Sequence, residues 1–110
     1  MLIKSLPFIT YIFFSFGGYA QKIEHYTSFE KAFQDPENVK ELSFVLEEDR
    51  LTEIPSDIDK FKNLKKLTLE YNHIQSLPES IGNLKNLTHL KLTNLRLKEL
   101  PESIGKLSGL

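Results

Sequence analysis

The sequence predicts an α/β repeat solenoid, in which short parallel strands alternate with irregular return segments. The pentapeptide PESIG occurs at Pro78–Gly82 and again at Pro101–Gly105, which sets a 23-residue period. Pro55 falls at the same phase one period earlier. Leucines and isoleucines recur at this period as well, and such a fixed period in the sequence is typical of stacked repeats.

Each unit is predicted to begin with a short strand. Apolar and polar residues alternate in residues 67–70 (LTLE) and again in residues 90–93 (LKLT). Alternation with a period of two places the leucines on one side of a strand and the polar residues on the other. The first strand is expected over Leu42 to Leu46, with Leu42, Phe44 and Leu46 facing inward.

The segment after each strand is predicted to turn the chain back. In residues 77–84 (LPESIGNL), Pro78 lacks an amide hydrogen and disfavours a helical conformation at Leu77. We expect Gly82 to relax the backbone shortly afterwards. No single unit can enclose its own leucines, so the units must stack to bury them.

Together these positions follow the pattern L-x-x-L-x-L-x-x-N-x-L and then x-x-L-P-x-x-I-x-x-L, which resembles the leucine-rich repeat family in its 23-residue form. The resemblance covers residues 41–110 in three units. It implies a solenoid with parallel strands on its concave face and polyproline II or 3₁₀ returns.

The asparagine of this pattern is not kept in every unit. It is Asn72 in the second unit, Asp49 in the first and Leu95 in the third. The resemblance implies that Asn72 turns inward and bonds the backbone of the bend, forming a ladder between units. We expect the ladder to break at Leu95 and the turn there to be locally loose, because an unpaired buried backbone group is costly.

Residues 1–20 are predicted to be a signal peptide. Lys4 precedes an uncharged stretch whose apolar part, Leu6 to Phe16, fits a secretory signal and is shorter than the roughly 20 apolar residues of a spanning helix. Gly18 and Ala20 are small residues suited to cleavage after Ala20. We therefore expect a secreted or cell-envelope protein without a stable membrane span after cleavage. The alternatives are a retained interfacial anchor and a buried amphipathic segment.

Residues 21–40 are predicted to form an N-terminal capping segment. Thr27 and Glu30 match a capping box, which predicts a helix with Thr27 at its N-cap. Phe29 and Phe33 fall on one face of that helix and could cover the open end of the solenoid. A partner-docking helix is the alternative.

The C-terminal end has no corresponding cap in the sequence. The chain stops at Leu110, the first position of a fourth unit. This pattern favours a fragment of a longer protein or a truncated gene product.

Composition excludes several classes of function. The formal net charge is −1, so there is no basic excess for nucleic acid, and the absence of cysteine excludes disulfides and thiolate chemistry. The histidines His25, His73 and His89 do not cluster by repeat phase and are interpreted as solvated side chains. We therefore expect a non-enzymatic protein without a cofactor or metal. The alternative is the recognition arm of a larger secreted enzyme whose catalytic domain lies outside this chain.

The outward strand positions are the candidate binding surface for another protein or a surface polymer. Residues one period apart should stack into columns, with Ser43 beside Lys66 and Val45 beside Thr68. Tyr71 is the best single anchor, because a rigid aromatic ring buries area and offers a hydroxyl. The charged neighbours would set orientation and encounter rate. The predicted site residues on the concave face are Lys66, Thr68, Glu70, Tyr71, His89, Lys91, Thr93 and Asn94.

Overall fold

Five strands form one sheet in chain order in a computed structural model that describes residues 9–16, 19–45 and 50–110. β1 and β2 pair antiparallel, and every later pair is parallel. β2 contributes only two pairs to β3, so the hairpin of β1 and β2 is joined to the three repeat strands by a short pairing. The strands are β1 (Ile9–Phe16), β2 (Tyr19–Tyr26), β3 (Glu41–Val45), β4 (Lys66–Glu70) and β5 (His89–Thr93).

The strand register confirms the repeat between β4 and β5 and corrects it between β3 and β4. Leu67 pairs with Leu90, one full period later, whereas the partner of Leu42 is Leu67, which lies two positions beyond one period. The prediction that Ser43 lies beside Lys66 is therefore wrong. Ser43 pairs with Thr68, so the first strand is shifted by two residues, and a shift of two leaves each side chain on its original face.

The two additional residues of the first unit lie between Val45 and Leu51. From Leu51 onward the units follow the 23-residue spacing again. The His73 N–H donates to the Leu51 carbonyl, and the Arg96 N–H donates to the Ile74 carbonyl in the equivalent place of the next unit. Leu42 and Phe44 are buried as predicted. Leu46, the third inward residue expected in this strand, lies outside the described residues.

The inward leucines of the strands form a continuous apolar core. Leu67 and Leu69 are fully buried, and Leu90 and Leu92 are half-buried against the same cluster. Each return contains a 3₁₀ helix preceded by a proline in an extended conformation, with φ between −61° and −70°. These return helices comprise Ser56–Lys60, Glu79–Asn83 and Glu102–Lys106.

The N-terminal helix is shorter than the helix that the capping box predicted. α1 covers Phe29–Ala32, and its N-cap is Ser28, without a side-chain capping bond, rather than Thr27. Its position is set by aromatic packing instead. Phe29 stacks on Phe44 at a ring-centroid distance of 4.5 Å, and Phe33 stacks on Phe61 at 4.6 Å. These contacts place α1 against the apolar side of the first unit.

Asn72 makes the inward contacts that the repeat pattern implied. Its side chain is buried, accepts a hydrogen bond from the Leu51 N–H at 2.9 Å, and donates to the carbonyls of Phe44 and Glu70, each at 2.9 Å. It therefore joins the first two units. Leu95 has no amide with which to repeat these bonds, and it packs instead against the core cluster.

The third unit leaves apolar side chains accessible. Leu100 is 51% exposed and Leu110 is 56% exposed, whereas Leu77, one period before Leu100, is buried. Burial of a repeat thus depends on the unit that follows it.

Part of the predicted signal peptide lies outside the described residues, including Lys4 and the cleavage-site residue Gly18. Cleavage after Ala20 stays a prediction. In the portion of the chain that the structure describes, no helix has the length and apolar character needed to cross a membrane.

Candidate functional site

The outward side chains of β3, β4 and β5 form a polar surface. We use the term strand face for this surface together with the residue that directly follows β4 and the residue that directly follows β5. The register brings the predicted site residues together in rows across the sheet. The rows run Glu41, Lys66, His89; then Ser43, Thr68, Lys91; then Val45, Glu70, Thr93; and they end with Tyr71 and Asn94.

The charged residues of the strand face pair with one another between strands. Lys66 Nζ lies 3.3 Å from Glu41 Oε1, and Lys91 Nζ lies 2.9 Å from Glu70 Oε1. Both lysines remain well exposed, so each pair contributes little to stability. The pairs also neutralise charges that the sequence analysis expected to set the orientation and encounter rate of a partner.

Tyr71 and Asn94 share an unusual backbone conformation at the ends of β4 and β5. Their φ angles are 55° and 51°, which lie in the left-handed region. Asparagine tolerates this region, whereas tyrosine does so at a cost in strain. The Tyr71 N–H donates to the Thr93 carbonyl at 3.0 Å, which holds the turn against the next strand. The 44% exposed Tyr71 side chain is therefore presented from a fixed backbone.

His89 lies at the opposite end of the strand face. Its Nδ1 is 2.9 Å from the hydroxyl of Thr88, which also lies 3.1 Å from the Lys65 carbonyl. The hydroxyl can donate to the carbonyl and accept from the imidazole N–H. This arrangement fixes the orientation of an exposed histidine.

The sequence reasoning was wrong about one feature of this region and did not find another. Val45 is 41% exposed and adds an apolar side chain to the strand face, but it lies beside Glu70 and not beside Thr68 as predicted. His73, interpreted as solvated, lies at the turn after β4, where its Nε2 is 3.1 Å from Nη1 of Arg50. The common repeat phase of Arg50, His73 and Arg96 was the signal that could have revealed this second cluster.

The described residues were also compared with the side-chain groups that hold metal ions. Groups of three or more histidine, aspartate and glutamate side chains suited to a metal ion are absent from the described part of the chain. The strand face offers hydroxyl, amide, phenol and paired charged groups, which suit the binding of a partner surface.

Comparison with known proteins decides the family. The family model described as "Leucine rich repeat" matches residues 43–97, which is half of the chain. The chain belongs to the leucine-rich repeat family. Its predicted fold class is thereby confirmed together with the parallel strands and 3₁₀ returns.

A solved structure gives the same fold. The chain is similar to a leucine-rich repeat protein of Leptospira interrogans, with 25% sequence identity and a TM-score of 0.58. The similarity covers 80% of this chain and 34% of that protein, so this chain spans about a third of its length. A search of curated proteins gave no match. Leucine-rich repeat domains generally bind proteins, and the family supports a repeat module for protein interaction.

Proposed function

We propose that this leucine-rich repeat chain is exported and binds another protein or a surface polymer through its strand face, without catalysing a reaction. The family and the fold support an interaction module. Export is proposed from the apolar segment of residues 1–20 and the small residues before Gln21. The binding site is proposed from the exposure and chemistry of the strand face.

The observation that carries the binding site is the placement of Tyr71. A tyrosine in a left-handed conformation costs free energy that glycine or asparagine would avoid, and such strain is found at functional sites. Tyr71 nevertheless remains 44% exposed, so much of its surface is available to a partner. An exposed, rigid aromatic ring is the type of residue that dominates interface energies.

The neighbouring groups favour a partner that is itself polar and close to neutral. The ion pairs of Lys66 with Glu41 and of Lys91 with Glu70 leave few unpaired charges on the face. Thr68 lies between Lys66 and Glu70 on β4, Thr93 pairs with Glu70 across the sheet, and both threonines are half-buried. Hydroxyl and amide groups around one aromatic anchor suit hydrogen bonding to a peptide backbone or to a saccharide.

The test compares capture of partners by the wild-type chain and by the Tyr71→Ala/Lys91→Glu variant. Each protein is immobilised, exposed to cell-surface extract, and the captured material is identified and then measured as a purified component by titration. We expect the variant to weaken binding by about 30-fold or more, because loss of a hot-spot residue costs at least about 2 kcal/mol.

The control is the Leu100→Ala/Lys106→Glu variant, which also removes an exposed large side chain and reverses one exposed lysine charge away from the strand face. It should bind within about twofold of wild type, as expected for a change outside an interface. Equal binding by wild type and the strand-face variant would contradict the proposed site. Processing is tested separately, by N-terminal sequencing of the exported protein for a start at Gln21.

A further inference from the structure

Each repeat unit carries one basic residue at the same repeat position, in the turn after its strand. Arg50, His73 and Arg96 recur one period apart and form what we term the turn column. The backbone keeps them in adjacent units, because the His73 N–H donates to the Leu51 carbonyl at 2.8 Å and the Arg96 N–H donates to the Ile74 carbonyl at 3.0 Å. Segments joined by such bonds lie about 4.8 Å apart.

Two members of the turn column are in direct contact. Arg50 Nη1 lies 3.1 Å from His73 Nε2. A guanidinium can only donate hydrogen bonds, so Nε2 must be the acceptor and the proton of the neutral imidazole is on Nδ1. Desolvation, then the charge of Arg96 and then that of Arg50 lower the pKa of His73. Desolvation and the positive neighbours therefore all favour the uncharged imidazole.

The arginines of the column are not held in ion pairs with other described residues. Neither Arg50 nor Arg96 forms an ion pair with a described residue. This holds although an exposed glutamate follows each arginine three residues later, Glu53 after Arg50 and Glu99 after Arg96. Among the described residues, the ion pairs join Asp57 to Lys60, Glu41 to Lys66 and Glu70 to Lys91. Both arginines are exposed and able to contact a ligand.

We propose that the turn column binds a tetrahedral oxyanion, a phosphate or sulfate group, between Arg50, His73 and Arg96. The planar forks of the two guanidiniums match the oxygens of such a group, and two fixed positive charges match a dianion. A single carboxylate would leave one arginine charge unmatched. His73 donates to the anion from Nδ1, and from both nitrogens when it is protonated.

This site is separate from the strand face and goes beyond the function proposed for it. Tyr71 precedes the column member His73 by two residues, so both surfaces lie at the same end of β4. A phosphorylated or sulfated molecule held at the turn column could also reach the strand face. Binding of the anion itself does not depend on the strand face, so the two proposals can fail independently.

The test is an NMR titration of the full 110-residue chain with inorganic phosphate and with sulfate at constant ionic strength. We expect saturable shifts of the His73 imidazole signals with smaller shifts of His89. Bound anion favours the protonated imidazole, so the pKa of His73 should rise during the titration. A phosphate ester and a sulfate ester of one sugar form a second arm. Tighter binding of an ester than of the free ion would identify a group carried on a larger molecule.

Charge-matched variants make the test specific. Arg50→Gln/Arg96→Gln should weaken anion binding by about tenfold or more, as loss of hydrogen bonds to a charged group does. Lys62→Gln/Lys85→Gln also removes two exposed positive charges that are one period apart, but from the loops that precede β4 and β5. It should change the affinity by about twofold at most, as expected from diffuse charge.

Three results would overturn the proposal. They are the absence of a saturable His73 shift in the wild-type chain, equal weakening by the two double variants, and binding of a glutamate-rich peptide as tight as that of phosphate or its esters. The wild-type titration decides the first result even if the arginine variant does not fold. Thermal melts of both variants establish whether their affinities can be compared.

Discussion

Gly82 lies directly against Ser103 of the following unit. A Cβ atom added to Gly82 would be 2.5 Å from the Ser103 carbonyl oxygen and 2.6 Å from its Cβ. The corresponding Cβ at Gly105 would have nothing within 4 Å. Gly82 is therefore required for close approach of two return helices, rather than for the backbone relaxation expected from the sequence.

Replacing Gly82 with alanine should destabilise the chain, and the same change at Gly105 should not. The Gly82→Ala methyl group must displace the backbone of the next unit, at a cost of about 1–3 kcal/mol. Gly105→Ala has room and should lie between neutral and about 1 kcal/mol stabilising. Urea unfolding of both variants measures the difference. Equal midpoints would contradict the close packing of the second and third units.

The buried amide of Asn72 should be essential to the junction of the first two units. Asn72→Ala leaves the Leu51 N–H and the carbonyls of Phe44 and Glu70 without their partner, so we expect a loss of about 3 kcal/mol. Asn86→Ala is the matched control, because that exposed side chain makes a single bond to the Lys62 carbonyl at 2.8 Å. Its cost should be below about 1 kcal/mol. Similar losses in the two variants would show that the amide ladder is unimportant.

The strain at Tyr71 predicts a substitution that improves stability while it impairs binding. Tyr71→Asn replaces a strained residue with one that tolerates a positive φ, and we expect a gain of about 1 kcal/mol in the free energy of unfolding. Asn94→Tyr places tyrosine at the corresponding position of the next unit and should lose a similar amount. The measurement is chemical denaturation of each variant. A less stable Tyr71→Asn variant would show that the tyrosine is retained for packing.

The turn column predicts the direction of one pH effect. The pKa of His73 is lowered in the folded chain from its usual value of 6.5, so the unfolded chain binds this proton first as the pH falls. The contribution of His73 to stability is therefore fully present above pH 6.5 and is lost as the pH decreases through the folded pKa. Denaturant midpoints measured between about pH 8 and pH 5 should fall more steeply for wild type than for His73→Gln. Parallel profiles would contradict the neutral imidazole.

Much of the fold follows from local sequence because one period sets strands, prolines and core positions together. Leu67 and Leu90, and likewise Pro78 and Pro101, occupy equivalent places in the structure, as their spacing predicted. The first unit could not be derived in the same way. The repeat spacing predicted that Ser43 lies beside Lys66, and only the pairing with β4 shows that Glu41 occupies that place.

The candidate sites were less predictable because they depend on contacts between units. Alternation identified the outward side chains of the strands and the 23-residue period added Tyr71, but neither could show that Lys91 is paired with Glu70. A histidine considered alone was interpreted as a solvated side chain. The contact of His73 with Arg50 arises only when residues one period apart are brought together by stacking.

The stacking register can be measured directly with cysteine pairs, because the chain contains no cysteine of its own. Ser43→Cys/Thr68→Cys places thiols on directly paired residues, about 4.8 Å apart along the sheet, where a disulfide can form. Val45→Cys/Thr68→Cys provides the control at the uniform repeat spacing, where the residues are diagonal neighbours. Rapid oxidation of the first pair and slow oxidation of the second is the predicted result. The reverse order, or no intrachain disulfide in either variant, would contradict the stacked repeat surface on which the proposed binding depends.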